Sequence, residues 1–155
     1  MLSVYFAQKA FVVNEGSLLA VRRNANDPHH PLRWEVPGGR LEAEEDLDQH
    51  LMREVFEEAG IRINPGEPFF IWKWNINQET NNSPNTIVAV GRICAAETTE
   101  LNASGRVDGD NLDLAEWIPL SKLGDYDWIP NMLPVLNSFL AKAKTISEKG
   151  ATECK

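Results

Sequence analysis

Positive charge is scarce in this sequence, cysteine is scarcer, and long apolar runs are missing. Its 155 residues hold 15 Lys and Arg against 23 Asp and Glu, a net charge of −8. That balance excludes electrostatic capture of long nucleic acid or of an anionic membrane surface. It leaves room for a small phosphorylated molecule, because a metal ion can bridge two anions. The longest apolar runs, such as Phe11-Val12-Val13 and Ile87-Val88-Ala89-Val90, fall far short of the ~20 residues of a membrane span. The first fifteen residues lack the basic start and apolar stretch of a secretory signal. With only Cys94 and Cys154, a disulfide framework is excluded. A buried thiol in a strand, an incidental one in the tail and a reducing cytoplasm are the expectation. What is present, 43% hydrophobic and 25% charged residues, suits one water-soluble domain with a real core.

Residues 4–13 and 17–22 read as strands around the hairpin signal Asn14-Glu15-Gly16. Residues 24–33 read as a polar loop holding His29 and His30, followed by a short extended piece, Trp34 to Val36, that Pro37-Gly38-Gly39 should stop. A helix is predicted from about Asp46 to Ala59, with Asp46 and Gln49 spaced as a capping box and Gly60 as its C-terminal stop. Residues 61–63 and 69–75 read as extended, 76–85 as an Asn-rich loop, and 86–96 as a strand. A polar loop over 97–111, a strand over 115–118 and a helix over about 132–144 complete the pattern. Residues 1–146 then make one domain, and 147–155 a frayed tail. Strands flanking a central helix, with a second helix at the end, predict an α/β sandwich around a mixed sheet.

The charge is concentrated. Between Glu42 and Glu58 stand eight acids and one base, Arg53, a net −7 out of the chain's −8. At 100° per residue, Glu54, Glu57 and Glu58 share one side of the predicted helix, and Leu51, Met52, Val55, Phe56 and Ala59 share another, the expected core side. A solvated acidic face is the usual reason for such a run. A purely structural helix would nevertheless mix lysines into the stripe, because like charges at i, i+3 and i+4 repel. Clustered carboxylate oxygens instead suit Mg2+ or Mn2+. Arg53 can pair with Glu57 or reach back to Glu45. Pro37-Gly38-Gly39 lets backbone approach a ligand closely, with carbonyls that can face a metal.

From Gly39 there are five residues to Glu45 and seven more to Arg53, then Glu54-Val55-Phe56-Glu57-Glu58-Ala59-Gly60-Ile61. This resembles the Nudix box, G-x5-E-x7-R-E-U-x-E-E-x-G-U with U apolar, and every specified position is filled. The preceding Trp-Glu-Val-Pro and the later Glu116-Trp117-Ile118-Pro119-Leu120 are also similar to the family. The resemblance implies the Nudix α/β/α sandwich and hydrolysis of a nucleoside diphosphate linked to another moiety, using divalent cations. It implies Glu54, Glu57 and Glu58 as metal ligands, with the Gly38 carbonyl a further candidate. Arg53 and Glu45 would order that site. His50 stands where the family often has a small residue. It falls on the carboxylate side, either packed or solvated, or else touching the metal or its water shell.

A cation would neutralise the acidic site, bridge phosphate oxygens and acidify a water, from which a carboxylate removes a proton. Glu54 and Glu57 are the candidates for base. The family also draws its base from a later loop, which here leaves Glu97, Glu100, Asp108, Asp110 and Asp113. For the substrate, Arg22 and Arg23 suit phosphate or an ordinary surface pair. Trp34, Trp72 and Trp74 could stack a base or fill the core. Asn75 and Asn77 could read base edges or serve turns. The stretch Asn75 to Glu79 lacks the proline and tyrosine that mark two subfamilies, tilting the expectation toward a nucleoside triphosphate or nucleotide-sugar-like substrate. The alternative is a nucleotide-sensing domain that binds without cutting. The family commonly dimerises, so a homodimer is a further expectation.

Overall fold

The computed structural model describes residues 3–76, 85–102 and 111–153, with 146–153 described as backbone only. The hairpin forms as expected. β1 (Ser3–Asn14) and β2 (Ser17–Arg23) meet through Asn14↔Ser17 and Val13↔Leu18. Between them Glu15 and Gly16 take φ of 46° and 75°, the two left-handed residues whose twist matches a strand pair.

Beyond Val13↔Leu18 the two strands part. β2 takes β3 (Trp34–Glu35) and the C-terminal strand β8 (Leu112–Pro119) as antiparallel neighbours. β1 takes β4 (Gly38–Arg40) on that side, through Ala7↔Arg40, Gln8↔Gly39 and Lys9↔Gly38. The extended piece does stop there, β3 ending at Glu35, but the two glycines that follow begin a new strand seated in the fork. The reason is steric. A Cβ on Gly38 would stand 2.1 Å from the Gln8 carbonyl oxygen, and its φ is +148°, so only glycine allows the approach.

On its other side β1 runs parallel to β7 (Asn85–Ala96) from Ser3↔Asn85 to Val13↔Ala95. β5 (Ile63–Asn64) and β6 (Pro68–Ile76) join β7 antiparallel, completing a mixed sheet. Cys94 in β7 is a free, buried thiol, its pKa pushed up by burial; Cys154 lies outside the described residues.

One helix covers each face, because alternate strand residues point opposite ways. α1 (Leu47–Ala59) sets Leu51, Val55 and Ala59 against Ala10 and Val12. α2 (Leu133–Glu153) sets Val135, Leu136 and Phe139 around Phe11, whose ring lies 5.1 Å from that of Phe139. This is the expected α/β sandwich. The helix caps are also as read: the Asp46 carboxylate accepts from the Gln49 N–H at 3.4 Å, and Gly60 closes α1 at φ 75°.

Two helix readings are corrected. Met52 and Phe56 are 39% and 51% exposed. α1 is turned so that His50 and Glu58 are buried with Leu51, Val55 and Ala59, bringing the polar side toward the sheet. The 100° wheel fixes relative positions on a helix but not its rotation against the sheet. At the C-terminus, residues from Ser147, read as frayed, continue α2 to Glu153; Glu148, Lys149 and Ala151 are good helix formers, and no proline intervenes. Among the described residues no helix is long and apolar enough to cross a membrane.

Candidate active site

The acidic face of α1 lies against β4. A Cβ on Gly39 would stand 2.8–3.0 Å from the Glu54 carboxylate, so the missing side chain makes the cradle in which that carboxylate sits. Arg53 organises the rest. Its Nε and Nη2 donate to the two Glu45 oxygens at 3.1 and 2.7 Å, a bidentate pair. Its Nη1 donates to Glu57 Oε2 at 3.1 Å, and its Nη2 lies 3.3 Å from Glu54 Oε1. Both alternatives left open for Arg53 are thus realised at once, and its pKa is raised, first by the Glu45 hydrogen bonds.

Glu54 is mostly buried and Glu57 less so, while Glu58 is among the buried residues. Burial pushes the Glu54 carboxyl up. The His50 ring facing it and the charge of Arg53 outweigh that and hold the carboxyl below its ordinary range. His50 itself is fully buried, the packed alternative for this residue, with Nε2 3.6 Å from Glu54 Oε1.

A second charged group fills the fork and was not anticipated. Lys9 Nζ donates to Glu35 Oε1 at 2.7 Å, and Arg23 Nε donates to Glu35 Oε2 at 2.5 Å. Arg23 also pairs with Asp27 at 3.5 Å, while Asp27 Oδ1 accepts the His29 and His30 backbone N–H groups. His29 and His30 are loop residues tied to Asp27. Burial raises the Glu35 carboxyl, but the Lys9 and Arg23 charges overcome it and hold it low. The charge of Lys9 reaches Glu54, and that of Arg23 reaches Glu58. The signal that could have found Lys9 and Glu35 is a charge inside an otherwise apolar strand.

Arg22 does not share this setting. It makes a bidentate, solvent-facing pair with Asp113, at 2.9 Å twice, and lies over the Trp34 ring at 5.9 Å. Asp113, a candidate base, is held in that pair. Glu97 and Glu100 are exposed, while Asp108 and Asp110 lie outside the described residues. The segment carrying Glu97 and Glu100 is tied to the end of α1, where Asn102 N–H donates to Ala59 O at 2.8 Å.

The three tryptophans separate. Trp34 is core, 7% exposed, edge-on to Tyr126 at 5.2 Å and bridged to Trp128; as a base-stacking residue it is corrected. Trp72 and Trp74 share one face of β6, half-buried with rings 6.1 Å apart, above the buried Ala7 and Ala89. Asn75 Oδ1 accepts from Thr86 Oγ1 across the strands at 3.0 Å, and Asn77 lies outside the described residues.

For a divalent cation, the donor set is chemically right: hard carboxylate oxygens on one helix face, with Glu54 seated in the Gly39 cradle. Among the described residues, no three His, Cys, Asp or Glu side chains already gather round one point. Arg53 engages Glu54 and Glu57 through different guanidinium nitrogens.

The NUDIX domain family model matches residues 7–139. A MutT-like protein of Streptomyces ambofaciens is 42% identical over 62 residues, 40% of this chain and 37% of that protein. Diphosphoinositol polyphosphate phosphohydrolase 3-alpha of Mus musculus is 44% identical over 46 residues, 30% of this chain and 28% of that one. CTP pyrophosphohydrolase of Escherichia coli (strain K12) is 38% identical over 58 residues, 37% of this chain and 42% of that one. The chain thus spans less than half the length of these curated relatives. The crystal structure of a MutT protein from Methanosarcina mazei Go1 superimposes with a TM-score of 0.72 at 23% identity, over 92% of this chain and 96% of that one. It shows the fold.

Proposed function

The chain belongs to the NUDIX domain family, and from that premise we propose that it is a pyrophosphohydrolase cleaving a nucleoside diphosphate linked to another moiety. The observation that carries this is the Arg53 guanidinium spanning Glu45, Glu54 and Glu57, with Glu54 seated on Gly39. Three acids stay crowded on one short stretch and are held in place by a single guanidinium, which a merely solvated helix has no need to do.

Glu54, Glu57 and Glu58, with the Gly38 carbonyl, would hold Mg2+ or Mn2+. Such an ion, when bound, supplies charge neutralisation at phosphate and a more acidic water. The chain's own residues do the rest. Glu54 or Glu57 accepts the water's proton. Arg53 and Glu45 fix the direction each carboxylate faces. Arg23, about one-third exposed, presents positive charge toward the phosphates from the fork.

Trp72 and Trp74 support a substrate with a planar ring, since two half-buried indoles over a small-residue floor offer stacking surface. That favours a nucleoside triphosphate or nucleotide-sugar-like substrate over an inositol pyrophosphate, although relatives of both kinds are similar to this chain. The reading carries with it a cytoplasmic setting, one catalytic domain and a homodimer.

The test is a panel of nucleoside triphosphates, nucleotide sugars, ADP-ribose, dinucleoside polyphosphates and a diphosphoinositol polyphosphate, each with Mg2+ or Mn2+. Nucleotide turnover that falls about 100-fold or more in Glu57→Gln is expected. Unchanged turnover in that variant overturns the role of Glu57, and cleavage of the inositol compound alone overturns the nucleotide assignment.

A further inference from the structure

A buried relay runs behind Glu54, through residues outside the specified box positions. Arg92 of β7 donates from Nη2 to Asp48 Oδ1 at 2.6 Å, from Nε to Gly66 O at 2.8 Å, and from Nη1 to Gln8 Oε1 at 3.2 Å. A guanidinium has donors only, so Gln8 must turn its oxygen toward Arg92. The Gln8 NH2 group then faces α1, where it donates to Leu47 O at 2.8 Å and to His50 Nδ1 at 2.9 Å. An amide NH2 cannot accept, so Nδ1 must carry the lone pair and the ring proton must sit on Nε2. That N–H lies 3.0 Å from Arg40 O and 3.6 Å from Glu54 Oε1. Gln8 and His50 are 1% and 0% exposed, so the hydrogen bond between them is shielded from bulk water.

We propose that Arg92 and Gln8 lock His50 in its Nε2–H tautomer, and that His50 so held is a positioning residue for the Glu54 carboxylate. The role rests on the reading of Glu54 as a cation ligand. Glu54 is then confined from three sides. The His50 N–H stands on one, the Arg53 guanidinium on a second and the vacant Cβ position of Gly39 on the third. The relay joins β1, β4, β7 and α1, so the carboxylate is referenced to the sheet as well as to its own helix. Histidine suits this place because its two ring nitrogens take opposite roles on opposite edges, accepting from Gln8 of β1 and donating to the Arg40 carbonyl of β4, which sets the ring edge against Glu54. Outer groups of this kind set the rotamer and basicity of a ligand without touching the ion.

Two measurements decide it. Ring 15N shifts of the unaltered, metal-free chain should show His50 Nδ1 bare and Nε2 protonated at neutral pH; the opposite tautomer or an imidazolium overturns the lock. Mn2+ uptake is then followed by electron paramagnetic resonance without nucleotide, in the unaltered chain, His50→Leu and His50→Gln. Leucine, which fills space without a donor, should weaken uptake by about 10-fold or more. Glutamine, which restores an amide N–H, should recover most of it. Equal uptake in the unaltered and leucine chains overturns the role of His50 alone, and so does equal loss in both variants. An unaltered chain that takes up no Mn2+ overturns the reading of Glu54 as a ligand, and this role with it.

Discussion

Gly39 and Glu54 occupy one space: the carboxylate of the second stands where the side chain of the first would be, with Oε1 2.8 Å from an ideal Cβ. Gly39→Ala should therefore fold, since its φ is not in the left-handed region, yet lose about 10–100-fold in Mn2+ affinity or turnover as Glu54 is displaced. Gly38→Ala should instead lower the melting temperature, because its φ of +148° costs about 1–3 kcal/mol and its Cβ would collide with Gln8 backbone. Thermal melts beside metal titration separate the two glycines.

Arg53 should matter more to chemistry than to stability. Its side chain is 35% exposed, so Arg53→Ala should cost about 1 kcal/mol or less in unfolding. Turnover should fall about 10–100-fold as Glu45, Glu54 and Glu57 lose their common partner. Arg53→Lys should not recover it, since an ammonium cannot grip Glu45 through two parallel N–H groups while reaching Glu57. Urea melts and steady-state rates on the same preparations check both halves.

Glu35 carries a pH signature. Its folded carboxyl is held low by Lys9 and Arg23, below the ordinary 4.5. Its contribution to stability is therefore full above that value and is lost as pH falls through the lower folded one. Glu35→Gln should cost about 3–5 kcal/mol at pH 7, leaving Lys9 and Arg23 facing one another without their anion. That loss should shrink as pH falls well below 4.5. Urea midpoints at pH 7 and pH 3 test this; a loss equal at both would contradict it.

The tryptophans should divide by role. Trp34→Ala should destabilise by about 3–5 kcal/mol as a core residue. Trp74→Leu should leave the melting temperature nearly unchanged and raise the nucleotide KM several-fold, without a matching fall in kcat. A KM unchanged for every nucleotide would remove the indole pair from substrate recognition.

Much of the site was legible from the chain because its logic is local. The capping of α1 by Asp46 and Gly60, the side shared by Glu54 and Glu57, and the reach of Arg53 to Glu57 all follow from helix geometry within a few residues. The α/β sandwich followed from strand and helix periodicity in the same way. Other parts were misread for an identifiable reason. Met52 and Phe56 belong to the helix's apolar residues, yet the rotation of α1 exposes them. Trp34 and Trp72 look alike in sequence, but Trp34 is buried by the core that packs round it, with Trp128 and Tyr126 beside it.

The sequence by itself determined the chemistry of the acidic helix, its ends and the kinds of ligand it can hold, since these depend on residues a turn or two apart. Tertiary structure alone decided that β1 and β2 part to admit the two glycines, that Lys9 and Glu35 fill the fork, and that Arg92 reaches His50 through Gln8. These contacts join residues tens of positions apart, and no local periodicity encodes them. They exist because a buried polar group must find a partner wherever the packed sheet brings one.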